Sequence, residues 1–241
     1  MVILKITQIC RVAVAIFISL LACTQRTTEP DMIVNPNADA SAYSFLSLGD
    51  SYTIGESVSA NYRWSVQLAD MLRKDGEDVG EPDIIARTGW TTAELQNAIK
   101  TSGNQKTYDL VSLLIGVNNQ YRGQSQDQYR IEFRELLQTA IKFAGDRAAH
   151  VFVLSTPDWG VSPYAAGQNK INIAQDIDQF NTIAKDECHK VSIAYIDITP
   201  LSRSAAGDDS QFASDGLHYS GKQMKLWAEK ALPVVKALLK K

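Results

Sequence analysis

From residue 43 onward, apolar runs of strand length alternate with stretches whose apolar residues recur at helical spacing. Tyr43 to Leu48 predicts a first strand, which ends at Gly49-Asp50-Ser51. Trp64, Leu68 and Leu72 stand four apart and predict a helix over 61–73. Asp83 to Arg87 predicts a second strand. Thr91 or Thr92 can cap the helix after it, with Glu94 placed to assist in the first turn. Leu110 to Ile115 is almost continuously apolar, the pattern of a central parallel strand buried on both faces. Phe133, Leu137 and Ile141 mark the next helix, and Val151 to Leu154 the fourth strand, followed by a turn over Ser155 to Gly160. Ile173, Ile177 and Phe180 or Ile183 predict another helix, and Val191 to Ile198 a fifth strand. Ser202 to Gly216 reads as polar loop and Lys222 to Leu239 as a closing helix.

This alternation predicts a three-layer α/β/α domain over 42–241 with a mostly parallel five-stranded sheet. Right-handed crossovers bring the strand-end loops to one rim, where open α/β sheets bind their ligands. Ser51, Gly89 and Asn118 follow the first three strands, and Asp215 and His218 lie just before the last helix.

The N-terminal stretch follows no such pattern. Lys5 and Arg11 are basic, Val12 to Ala22 is apolar, and Cys23 follows. The apolar run is too short to cross a bilayer comfortably and reads as an export signal over 1–22. Leu20-Leu21-Ala22-Cys23 resembles a bacterial lipoprotein processing box, which implies cleavage before Cys23 and lipidation of that residue. Thr24, in place of an acidic residue, resembles outer-membrane sorting; the expectation is a protein anchored by lipid in the bacterial cell envelope, on the outer membrane. Residues 23–41 would supply the lipidated cysteine and a flexible tether rich in Thr, Asn, Asp, Ala and Pro.

On this reading Cys10 leaves with the signal and Cys188 remains without a disulfide partner, so the fold must rely on its core. Cys188 lies in Asp186-Glu187-Cys188-His189 beside a predicted strand, where neighbouring side chains point to opposite faces. It therefore reads as a half-buried thiol rather than half of a Cys–His pair. With 241 residues and 45% hydrophobic content the chain can bury one substantial core. Its formal charge of −3 becomes −5 without Lys5 and Arg11, and no basic cluster offers a nucleic-acid surface. The lysines at 222, 225, 230, 236, 240 and 241 surround an apolar stripe and read as a solvated helix face.

A serine hydroxyl becomes a useful nucleophile when a base takes its proton, and near neutral pH histidine suits that task. Of three histidines, His150 begins a buried strand, His189 sits in a charged turn, and His218 ends Asp215-Gly216-Leu217-His218. Gly216 permits a tight turn that can bring the Asp215 carboxylate to the imidazole. Gly-Asp-Ser and Asp-Gly are also ordinary turn sequences, so residues alone leave a structural reading open.

Phe45-Leu46-Ser47-Leu48-Gly49-Asp50-Ser51-Tyr52-Thr53 closely resembles the first block of the GDSL or SGNH hydrolases. Gly89, within Ala86 to Thr92, matches the second block. Gly116-Val117-Asn118-Asn119 matches the third, and Asp215-Gly216-Leu217-His218 the last. The four blocks run in family order from Ser51 to His218. The resemblance implies a flavodoxin-like SGNH fold and cofactor-free ester hydrolysis through an acyl-Ser intermediate. Ser51, Asp215 and His218 would be catalytic, and the oxyanion hole would comprise the Ser51 and Gly89 N–H groups and the Asn118 amide. Asn119 departs from the pattern, standing where the family often has an Asp that orders the loop. No Gly-x-Ser-x-Gly elbow surrounds Ser51, and no phosphate loop or compact His/Cys metal cluster is present in the sequence.

Trp90, Tyr121 and Trp159 are candidate substrate-pocket residues, in loops after the second, third and fourth strands. They do not separate glycan, lipid and simple acyl esters as the partner. A different class of function, a surface lipoprotein that binds carbohydrate or another envelope component without turnover, should have lost at least one of Ser51, Gly89, Asn118, Asp215 and His218. The sequence does not specify an oligomeric state.

Overall fold

The sheet grows outward from two strands, β2 (Phe45–Gly49) and β4 (Leu110–Leu114), in which every residue is buried. They pair in parallel from Phe45 with Leu110 to Gly49 with Leu114. In this computed structural model, which describes Met32–Ile33 and residues 43–240, β3 (Asp83–Ala86) lies beyond β2, while β5 (Val151–Leu154) and β6 (Ala194–Ile196) follow β4. These five strands are parallel throughout, as expected. A two-residue strand, β1 (Met32–Ile33), adds itself antiparallel to β3 at the sheet edge. It falls inside the segment expected to be a tether. The export signal, Cys23 and the rest of that segment lie outside the described residues.

The order β3-β2-β4-β5-β6 has a functional consequence. From β2 the chain steps one way to β3, then crosses back to β4 on the opposite side of β2. The loops leaving β2 and β4 therefore diverge, and a crevice opens between them at the carboxyl end of the sheet. Ser51 and Asn118 lie just beyond those two strand ends.

Helices cover both faces. On one, α2 (Trp64–Lys74) and α8 (Gly221–Leu238) pack Trp64, Leu68, Leu72, Trp227 and Val235 against Phe45, Leu110, Leu114 and Phe152. On the other, α3 (Thr92–Ser102), α5 (Gln126–Phe143) and α6 (Lys170–Lys190) pack Leu95, Phe133, Leu137 and Phe180 against Leu46, Leu48, Val111 and Val153. The alternation of strand side chains between these two layers is the period-two geometry of a β-strand. Buried Ser47 and Ser112 oppose each other in register, and their hydroxyls bond at 2.9 Å, so neither is left unsatisfied. The predicted cap of α3 is a full capping box between Thr91 and Glu94.

Three expectations are corrected. The Asp186–His189 segment belongs to α6, which runs to Lys190, and the fifth parallel strand is only Ala194–Ile196. Ile177, Phe180, Ala184 and Cys188 continue one buried helical stripe, which explains why helix wins there. Cys188 is fully buried rather than half-buried, and burial, with the nearby Glu187 charge, pushes its thiol up to about 12. The stretch 202–216, read as loop, contains the end of α7 (Thr199–Arg203) and a 3-10 turn over Asp209–Gln211. Among the described residues no helix is long and apolar enough to cross a membrane.

Candidate active site

Ser51 opens a one-turn helix, α1 (Ser51–Ile54), directly after β2. The Asp50 side chain caps it by accepting from the Tyr52 N–H at 3.0 Å. The chain can turn this sharply because Gly49 has no side chain: a Cβ there would overlap the Thr53 side chain and the Leu114 carbonyl. Asp50 is wholly buried. Loss of solvent raises its carboxyl to about 7, only partly opposed by backbone N–H groups of Tyr52 and Asp50.

His218 sits on the turn that precedes α8, and its carbonyl accepts from the Ala213 N–H at 2.7 Å. Asp215 organises this turn. Its Oδ1 accepts from the backbone N–H groups of Leu217 and His218, each at 2.9 Å. Its Oδ2 lies 2.7 Å from His218 Nδ1 and accepts from the Ser57 hydroxyl, also at 2.7 Å. Partial burial alone would raise this carboxyl, but those four hydrogen bonds outweigh it and hold Asp215 at about 2. An ionised carboxylate can only accept, so the neutral imidazole must carry its proton on Nδ1 and keep the Nε2 lone pair. The residue is 8% exposed, and its ring packs edge-on against Tyr52 at 5.7 Å.

The third part is the pair of loops after β3 and β4. Gly89 has φ +87°, a conformation costly for any residue with a side chain. Its carbonyl accepts from Arg122 Nη2 at 2.5 Å, and Arg122 Nη1 also bonds both Glu94 carboxylate oxygens at 3.1 Å. Asn118, on α4 (Val117–Tyr121), donates from Nδ2 to the Trp90 carbonyl at 3.0 Å. An amide nitrogen has two hydrogens, so this bond orients Asn118 and leaves one donor to spend. Asn119 is fully buried. Its Oδ1 accepts from the Thr92 N–H at 3.2 Å, while Nδ2 donates to Thr92 Oγ1 at 2.6 Å and to Gln124. The amide that replaces the usual carboxylate thus ties the two loops together with both of its ends.

Ser51, Asn118 and His218 line one cavity of about 190 Å³, together with Tyr52, Val117, Tyr121, Trp159, Tyr164 and Leu217. A model of the GDSL-like Lipase/Acylhydrolase family matches residues 47–226, a span that starts within the first motif block and contains the other three. The chain belongs to that family. Members of the GDSL-like family are carboxylic ester hydrolases, and that class of activity extends to this chain. No curated protein sequence matches it. Among solved structures it is similar to TesA, with TM-score 0.64 and 19% identity over 81% of this chain and 99% of that one. The psychrotrophic esterase EstA from Pseudoalteromonas sp. superposes with TM-score 0.63 and 15% identity, covering 83% of this chain and all of that one (100%). Axe2, an acetylxylan esterase from Geobacillus stearothermophilus, gives TM-score 0.63 and 15% identity over 81% and 94%. At these identities the likeness establishes the shared fold.

Within this GDSL-like site the sequence-predicted residues divide into three groups. Ser51, Asn118, His218, Tyr121 and Trp159 face the common cavity. Asp215 stands behind His218, and Gly89 is linked through Arg122 and, via its neighbour Trp90, through Asn118. Trp90 does not line the cavity. Its ring packs on the core layer under α3 and borders a separate cleft with Arg87, Asn97 and Thr101. Sequence reasoning did not single out Tyr52, Val117 and Leu217, although each adjoins a motif residue. Ser57 and Tyr164 reach the site from other loops and carry no local signal.

Proposed function

We propose that this GDSL-like hydrolase cleaves short-acyl carboxylic esters through a covalent intermediate on Ser51. The supporting observation is the convergence of Ser51, Asn118 and His218 on one cavity, with His218 Nδ1 engaged by Asp215. His218 Nε2 takes the Ser51 proton as Oγ attacks the ester carbonyl. The oxyanion accepts from the N–H groups of Ser51 and Gly89 and from the free Asn118 Nδ2 hydrogen. The imidazolium then protonates the departing alkoxide. Water, deprotonated by the same ring, attacks the acyl-Ser carbonyl and releases the acid. Asp215, ionised throughout, holds the ring and balances its transient charge.

Size sets the acyl preference. The cavity, at about 190 Å³, is smaller than the roughly 300–1,000 Å³ of drug-sized ligand pockets. Hydrolysis of a p-nitrophenyl series should therefore be fastest from acetyl to butyryl and fall for longer chains; a steep rise toward decanoyl in monomeric substrate refutes the short-acyl reading. Asn118→Ala removes one oxyanion donor and should lower kcat by about 10²–10³-fold with KM little changed. Unchanged kcat in that variant would remove Asn118 from the hole.

The same reading places the enzyme at a membrane surface through lipid on Cys23, motivated by Leu20-Leu21-Ala22-Cys23 after a basic and apolar segment. Expressed in a bacterium, the full chain should label with a fatty-acid probe and enter the detergent phase. Cys23→Ser should abolish the label while the domain stays active; persistent labelling would assign the lipid elsewhere.

A further inference from the structure

Two half-exposed tyrosines lie across the cavity from each other, and the chemistry above uses neither. Tyr121 ends α4, the helix that carries Asn118. Tyr164 lies in the 3-10 turn Pro163–Ala165, and its backbone N–H donates to the Gly216 carbonyl at 2.9 Å, within the turn that presents His218. The two hydroxyls are 3.3 Å apart and hydrogen-bonded. Trp159 lies under the pair, 4% exposed, with its Nε1–H donated to Gln120 Oε1 at 2.9 Å. Its ring meets Tyr121 edge-on at 5.3 Å and Tyr164 at 6.4 Å.

We propose that the Tyr121–Tyr164 hydroxyl pair is a bar across the acyl cavity that sets the longest acyl chain the enzyme accepts. The proposal rests on the reading of Ser51 as the acylated residue. One end of the bar is built on the oxyanion helix and the other is fastened to the base turn, so its position relative to the reacting carbonyl is fixed by the catalytic parts themselves. Trp159, locked by Gln120, is a floor rather than a moving part. A chain that outgrows the cavity must part the two hydroxyls and push two aromatic rings into water. Without the bar, the same chain lies along Trp159, and each methylene it buries favours binding roughly fourfold. Both rings lie at the surface, so truncating either leaves the sheet and both helical layers intact.

The experiment compares kcat/KM for p-nitrophenyl acetate, butyrate, octanoate and decanoate, kept below micelle-forming concentrations, in the unaltered enzyme and in Tyr164→Ala, Tyr121→Ala and Tyr164→Phe. Each protein is also labelled with an organophosphonate to report whether Ser51 still reacts. The ratio of octanoate to acetate kcat/KM should rise at least tenfold in both alanine variants. Tyr164→Phe, which loses the hydrogen bond and keeps the ring, should give a smaller rise. Alanine variants that label at Ser51 yet keep the unaltered ratio overturn the bar. Variants that lose labelling and turnover together also overturn it, since the tyrosines would then hold the site rather than limit the chain. An unaltered enzyme that neither labels at Ser51 nor turns over any ester overturns the proposed function beneath it.

Discussion

Ser51→Ala should reduce ester turnover by about 10⁵–10⁶-fold and abolish covalent labelling by an organophosphonate. The reagent resembles the tetrahedral species of acyl transfer, and its adduct should map by mass to Ser51 alone. The fold should survive, because only a hydroxyl is removed. Asp50 caps α1 through its own side chain, and Gly49 makes the sharp turn, so neither depends on Ser51 Oγ. A residue of catalysis over water should remain, because the oxyanion donors persist without the nucleophile. An adduct on another serine, or near-normal turnover in the pure variant, would falsify the mechanism.

The second large effect concerns the histidine and its carboxylate. His218→Ala should cost turnover nearly as much as losing Ser51, since the two act as a unit. Asp215→Asn should be severe for a separate reason. Backbone N–H groups of Leu217 and His218 both donate to Oδ1 and would hold the asparagine carbonyl oxygen there. The amide NH₂ then faces His218 Nδ1 and donates to it, which moves the ring proton to Nε2. In that tautomer the ring cannot accept the Ser51 proton, and turnover should fall by about 10⁴-fold. Asp215→Ala leaves the ring free to adopt either tautomer and should be the milder change. Steady-state kcat for the three purified variants decides the matter, and an asparagine variant more active than the alanine one would refute the tautomer argument. Asp215 also links stability to pH. Its folded pKa, about 2, lies below the ordinary 3.8, so its stabilisation is complete above about pH 4 and is lost as pH falls toward 2. Urea titrations of the unaltered protein between pH 5 and 2 should show that loss, reduced in Asp215→Asn.

Strand and helix alternation predicted the layers because each element keeps one period and buries one face, and both properties are local. Local residues left Ser51 and His218 open to a plain turn reading; what singled out Ser51, Asn118 and His218 was the resemblance of four blocks, in family order, to the GDSL hydrolases. Trp90 was misplaced because adjacency to Gly89 says nothing about which layer receives the ring; the core under α3 does. Tyr164 was invisible since its role depends on a contact with Tyr121, 43 residues earlier in the chain. Cys188 was misread from a four-residue window, although the stripe from Ile177 shows the helix when the window is widened.

The short strand β1 changes the mechanics of attachment proposed for this enzyme. Pairing with Ile84 and Ile85 occupies the outer edge of β3, which would otherwise offer free backbone groups to another chain. It also brings Met32 onto the sheet, well ahead of Tyr43 in the chain. A chain fastened at Cys23 then has nine residue steps to that point, at most about 32 Å when fully extended. With the lipid proposed on Cys23, that span would hold the catalytic rim within reach of esters close to the bilayer, while those deeper in the surrounding compartment would have to diffuse to it.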